Sequence, residues 1–209
     1  MDVGCSPVAL EYLSRLRHNR EGAMAYTDVR YKLRKIGRNV EIGTNVYFRY
    51  PELVEIGDNC IIDEFCYFTT ALRIGNFVHI GPHCTSIGGR ESALVLSDYS
   101  GLSAGCRMIC GSDDYFNGLT NPNIPAEYRG PVKSGEIILG KHAVLGTNTV
   151  VHPSVRLGEG AATGSLTLVT KDLEPWTVYV GIPASERGKR DRSRIIQLEQ
   201  KFAASQQEP

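Results

Sequence analysis

"IGDNCIIDEFCYFTTALRIGNFVHIGPHCT", residues 56–85, advances in steps of six, with Ile56, Ile62, Phe68, Ile74 and Ile80 opening successive hexads. Working outward, the same phase holds at Ile36, Ile42 and Phe48 on one side. On the other it resumes after a short insertion at Leu96, Leu102 and Met108. Beyond a long interruption it returns at Leu139, Leu145, Val151, Leu157, Thr163 and Val169, and only Ser86 and Thr163 depart from apolar anchors. A strict period of six with one apolar anchor per step fits neither an amphipathic helix nor a hairpin meander. It is the pattern of a parallel β-helix, in which each step forms one flat face of a solenoid coil. The fifth position is also small or apolar (Val40, Val46, Cys60, Cys66, Val78, Cys84, Cys106, Ala143, Val155, Ala161) and is expected to point inward. Glycine recurs at the second position (37, 43, 57, 75, 81, 140, 146, 158, 164), which reads as a sharp turn after each short strand.

The chain has 209 residues, the size of one domain with short appendages. Twenty-three basic residues balance 23 acidic ones, so no net charge draws it to nucleic acid or to a membrane surface. The first twenty residues contain no apolar signal-peptide core, and no stretch approaches the roughly 18–20 apolar residues of a membrane span. A cytoplasmic setting is expected. Four of the six cysteines fall at the fifth hexad position and no CxxC pair occurs, so they read as small hydrophobes of the core. Three regions follow: an N-terminal helical cap over 1–35, with Ser6 as N-cap and Pro7 in the first turn; a β-helix over 36–188 with a loop at 110–136; and a C-terminal helix within 189–209, carrying Ile195, Ile196, Leu198 and Phe202 on one face.

The stretch 137–184 closely resembles the hexapeptide-repeat acyltransferases, and the resemblance extends over about residues 36–188. It is carried by Val169-Thr170-Lys171-Asp172, then Pro175, then Gly181-Ile182-Pro183-Ala184. It implies a left-handed parallel β-helix, a homotrimer, and acyl-CoA bound in the groove between neighbouring subunits, with active sites shared between chains. In the family's galactoside and maltose acetyltransferases a catalytic histidine follows a coil at the start of a long loop. In register, that slot falls here on Asp113, with Asp114 next. The loop residues Asp113-Asp114-Tyr115 and Leu119-Thr120-Asn121-Pro122 look more like the branch acting on nucleotide-linked amino sugars, including the dTDP-4-amino-4,6-dideoxyglucose N-acetyltransferases. For acetyl-CoA the resemblance implies backbone around Gly146 and Gly164, with Thr170, Lys171 and Arg187 near the last coil. Lys189, Arg190 and Arg192 read equally as a phosphate site or as a solvated basic run.

Acyl transfer needs a nucleophile stripped of a proton and donors for the developing oxyanion. A sugar hydroxyl wants a base near neutrality, whereas a neutral sugar amine attacks unaided and needs only a proton acceptor. A carboxylate suffices for that, better if burial or a second carboxylate raises its pKa, and it can also hold an incoming ammonium. Asp113 and Asp114 therefore favour an amine acceptor; the plainer reading is an Asx turn leaving the coil. His79, closing "IGNFVH", is the third catalytic candidate. His83 and His142 are expected on solvated faces, and His152 in a turn slot. The γ-carbonic anhydrases share the fold, but their paired histidines are missing, so no metal is expected. Arg73 and Arg90 are open candidates for a substrate diphosphate. Three readings remain: N-acetylation of a nucleotide-linked amino deoxysugar for lipopolysaccharide or glycan synthesis; O-acetylation of a saccharide or antibiotic hydroxyl with His79 as base; and a non-catalytic β-helix scaffold.

Overall fold

The computed structural model describes residues 32–206. The reading of an N-terminal helix around Ser6–Arg17 falls outside them, as do Cys5 and His18. The expected β-helix is present as three sheets of six, eight and six strands. Every neighbouring pair in them is parallel except the closing hairpin Thr177–Val180 with Ser185–Lys189.

Registers place the hexad anchors directly on one another. On the first face Ile36, Ile56, Ile74, Leu96, Leu139 and Leu157 form one stack. On the second, Ile42, Ile62, Ile80, Leu102 and Leu145 do so. The third runs Phe48, Phe68, Ser86, Met108, Val151, Val169. The two polar anchors are paired rather than orphaned, as buried hydroxyls must be. Ser86 Oγ lies 2.6 Å from Thr70 Oγ1, and Thr163 Oγ1 lies 2.9 Å from Thr149 Oγ1 while accepting the Gly146 amide. Ser86 also relieves volume between two large neighbours on its stack, Phe68 and Met108.

The fifth positions are inward, and all four cysteines there are essentially fully buried. The thiols of Cys66, Cys84 and Cys106 donate to the carbonyls of Gly81, Ser103 and Gly146 respectively. Burial pushes the Cys60 thiol up and the Cys110 thiol to about 11, consistent with protonated, inert core groups.

The turn chemistry differs from the expectation in one respect. The left-handed residue of the coil corner is the fourth of the hexad, not the glycine at the second. Asn39, Asn59, Phe77, Tyr99 and His142 all have φ between 52° and 61° at successive corners. The second-position glycines answer a different constraint, close coil stacking. A β-carbon on Gly146 would lie 2.5 Å from the Gly164 backbone, and one on Gly57 would lie 2.5 Å from the Gly75 carbonyl.

The aromatic corner residues form a column. Phe77 stacks on Tyr99 at 5.0 Å and Tyr99 on His142 at 5.2 Å, with Trp176 tilted beyond at 6.0 Å. His142 is therefore buried, contrary to its expected solvated position. The C-terminal helix, Arg192–Ser205, is capped by Asp191 and docks on this column. Glu199 bonds Lys141 at 2.5 Å and His142 at 2.9 Å, and Phe202 meets Phe77 edge-on. The Lys141 ammonium, then His142, hold the Glu199 carboxyl below its ordinary 4.5. A depressed carboxyl stabilises the docked helix above the ordinary value and stops doing so as pH falls through the lowered one. Amide protection across 195–203, corrected for intrinsic exchange, should therefore fall below about pH 4.5 while the solenoid strands hold theirs. Glu199→Gln should remove that pH step.

Candidate active site

The outward row of the second face runs Ile61, His79, Gly101, Val144. Around it lies a groove of about 510 Å³ whose lining includes His79, Gly81, Pro82, Gly101, Ser103 and Val144. His79 opens the two-residue strand His79–Ile80, so its anchor neighbour turns inward and the imidazole stays outside. Its Nε2 lies 2.8 Å from Asp63 Oδ2. Asp63 stands at the second hexad position, in a row that otherwise reads Gly43, Gly81, Ser103, Gly146, Gly164. Among the described residues Asp63 is the only hydrogen-bond partner of the His79 side chain, and no hydrogen bond joins His79 to Asp113.

The long loop leaves the third face through a narrow neck. Gly111 and Ser112 pair antiparallel with Ser134 and Lys133, and the excursion folds on itself through a Leu119 amide to Tyr128 carbonyl bond. A short helix, Ala126–Arg129, lies within it. Just beyond the neck the two aspartates have different surroundings. Asp114 accepts from the amides of Phe116 and Asn117 and from the Asn117 side chain. That is the Asx turn of the plainer reading, and the Phe116 amide first, then Asn117, hold the carboxyl below its ordinary range. Asp114 thus forms a turn, and its carboxyl is held low rather than raised. The half-buried Asp113 carboxylate has no hydrogen-bond or ion-pair partner among the described residues; only its backbone carbonyl is contacted, by the Ser112 hydroxyl. Asp114→Ala should speed exchange of the Phe116 and Asn117 amides, whereas Asp114→Asn, which keeps an accepting oxygen, should change it little.

The residues expected near CoA divide into two groups. Gly146 and Gly164 lie on consecutive coils and are glycine for stacking reasons internal to the chain. Thr170, Lys171 and Arg187 are exposed and without side-chain partners among the described residues. Arg187 belongs to the closing strand Ser185–Lys189. Arg190 is not part of a solvated basic run: its guanidinium turns inward to the carbonyls of His142 and Gly160. Lys189 bonds Thr177 and Glu186. Arg73 pairs with Glu136 and Arg90 with Glu52, both at exposed positions on the surface. His83 is exposed and stacked on Phe65, and His152 is exposed beside the strand Val150–Val151. Sequence reasoning missed Asp63; the available signal was its presence in a slot otherwise held by glycine or serine on that face.

No family model matches the chain. Among characterised proteins, the dTDP-4-amino-4,6-dideoxy-D-glucose acyltransferase of Escherichia coli is 35% identical over 191 residues, covering 87% of this chain and 97% of the relative. The chain is a hexapeptide-repeat acyltransferase. Among solved structures, a variant of AntD, an N-acyltransferase from Bacillus cereus, in complex with dTDP-4-amino-4,6-dideoxyglucose and Coenzyme A, superimposes on this acyltransferase with a TM-score of 0.78. Sequence identity is 29%, with coverage of 90% of this chain and 96% of that one. AntD in complex with dTDP and 3-hydroxybutyryl-CoA gives a TM-score of 0.76 at 29% identity, with 100% of both chains covered. Among the described residues of this acyltransferase, no helix is long and apolar enough to cross a membrane.

Proposed function

We propose that this acyltransferase moves an acetyl group from acetyl-CoA to the 4-amino group of dTDP-4-amino-4,6-dideoxyglucose, a step toward lipopolysaccharide or other glycans. The observation that carries the reading is the likeness, over 87% of this chain and 97% of the other, to a relative named for that sugar, supported by the AntD complex that holds it. The chemistry of the loop supports it. Asp113 keeps its carboxylate free at the loop's neck, where it holds the incoming ammonium of the sugar, while Asp114 maintains the turn that presents it. Thr170, Lys171 and Arg187 take the CoA end, along the pantetheine path past Gly146 and Gly164. The loop also exposes Tyr115 (76%) and Phe116 (94%), far more apolar surface than a loop leaves bare without cause. In a homotrimer these rings cover a neighbouring chain's groove and close the site across the interface.

The test is product mass. Purified protein is incubated with acetyl-CoA, or with 3-hydroxybutyryl-CoA, and a panel of dTDP-, UDP- and GDP-linked amino sugars beside plain hexoses. One acetyl group gained on dTDP-4-amino-4,6-dideoxyglucose is the expected result. Acylation of a hexose hydroxyl alone would sink the amine reading, and transfer only of the hydroxybutyryl group would replace the donor.

A further inference from the structure

The geometry points to Asp63 and His79 as a proton-accepting pair for the acyl-transfer step, with Asp63 as the positioning residue that fixes the imidazole. The inference rests on the amine-acylation reading above. Four observations carry it. First, the contact is short, 2.8 Å between Nε2 and Oδ2, and the two residues come from adjacent coils of a rigid solenoid face rather than from the loop. Second, Asp63 stands in the row that otherwise reads Gly43, Gly81, Ser103, Gly146 and Gly164, so it is the one carboxylate that this row brings beside the groove. Third, the residue paired with His79 on the following coil is Gly101, so the imidazole has no side chain beside it on the groove side of that coil. Fourth, Nδ1 of His79 has no partner among the described residues, while the carboxylate occupies Nε2. The Asp63 carboxylate accepts a hydrogen bond from Nε2–H, which leaves the Nδ1 lone pair as the proton acceptor.

The sugar ammonium first releases a proton to solvent. The neutral amine attacks the thioester carbon, forming the C–N bond as the carbonyl pair moves onto oxygen. The new ammonium nitrogen passes one proton to His79 Nδ1. The oxygen pair then returns, the C–S bond breaks, and the departing CoA thiolate takes that proton from the imidazolium, leaving the amide and free CoA. Asp63 stays ionised throughout and stabilises the transient imidazolium. The free Asp113 then has a separate task, the ammonium before deprotonation, which divides binding from proton transfer.

The experiment uses the full-length protein with acetyl-CoA and dTDP-4-amino-4,6-dideoxyglucose, comparing wild type, His79→Gln and Asp63→Asn. Initial rates are read by product mass, and the His79 ring tautomer by long-range proton–nitrogen NMR. His79→Gln should lower kcat by about 10²–10⁴-fold. Asp63→Asn removes the charge that stabilises the imidazolium, while its amide oxygen still accepts from Nε2–H. It should lower kcat by about 10²-fold with the KM for acetyl-CoA within about twofold of wild type. The wild-type ring should carry its proton on Nε2, facing Asp63. Turnover within about twofold of wild type in either variant, or an Nδ1-protonated wild-type ring, overturns the pair. A wild type that acylates only a hydroxyl acceptor sinks the functional reading instead, and the same two variants on that acceptor then decide the pair.

Discussion

Phe68→Ala should lower the stability of the solenoid by about 3–5 kcal/mol, the range for emptying an aromatic site in a close-packed core. Phe68 is 1% exposed, and its ring stacks on Phe48 at 5.5 Å in the third-face anchor row. The site cannot collapse to fill the gap, because the coil spacing is fixed by backbone hydrogen bonds from Arg49 to Phe68 and from Thr69 to Ser86 on either side. Ser86, already small, has no volume to lend, and its hydroxyl is committed to Thr70. The neighbouring outward residue is the control. Tyr67 stacks on Tyr47 at 4.9 Å but is 43% exposed, so Tyr67→Ala should cost only about 1 kcal/mol. Urea midpoints at one fixed protein concentration would read both, since any association between chains adds a concentration term. Equal losses for the two substitutions would show that the anchor row is not the principal source of stability.

Asp113→Asn should reduce kcat/KM for the amino-sugar nucleotide by about 10²-fold, the usual scale for losing the contact that positions a reacting group. The substitution keeps volume, removes the charge and turns one accepting oxygen into a donor, at a carboxylate with no partner among the described residues. The KM for acyl-CoA should not move. Asp114→Asn, at a carboxylate already bonded to Phe116 and Asn117, should leave turnover within about threefold of wild type. The asymmetry between two adjacent aspartates is the discriminating feature. Comparable losses at both would mean that the loop's shape, not the free charge, serves the reaction. No loss at either would place acceptor binding away from the loop's neck. Together with the Asp63 and His79 variants, the four substitutions separate ammonium binding from proton transfer and both from loop folding.

Much of the architecture is set by local chemistry repeated many times. The six-residue spacing of Ile56, Ile62, Phe68, Ile74 and Ile80 determines a three-faced parallel coil, because each short strand must turn one side chain inward and the period admits no other regular element. The fifth-position cysteines were readable as core for the same reason. The loop at 110–136 and the tail helix were visible as breaks in phase, and the family was legible in Val169–Asp172 and Gly181–Ala184. Contacts between coils were not. Whether a second-position glycine serves a turn or close stacking depends on what lies about 5 Å away on the next coil. So does the burial of His142, which follows from the column of Tyr99 and Trp176 and from Glu199, 57 residues distant. Asp113 and Asp114 are neighbours with the same side chain, and only the folded loop gives one to the backbone and leaves the other free. Asp63 and His79 lie 16 positions apart in sequence and meet because one coil advances by about that length. Sequence alone determined the repeat and hence the solenoid; tertiary structure decided which polar groups face each other across it, because such pairs are set by stacking distance and not by any local pattern.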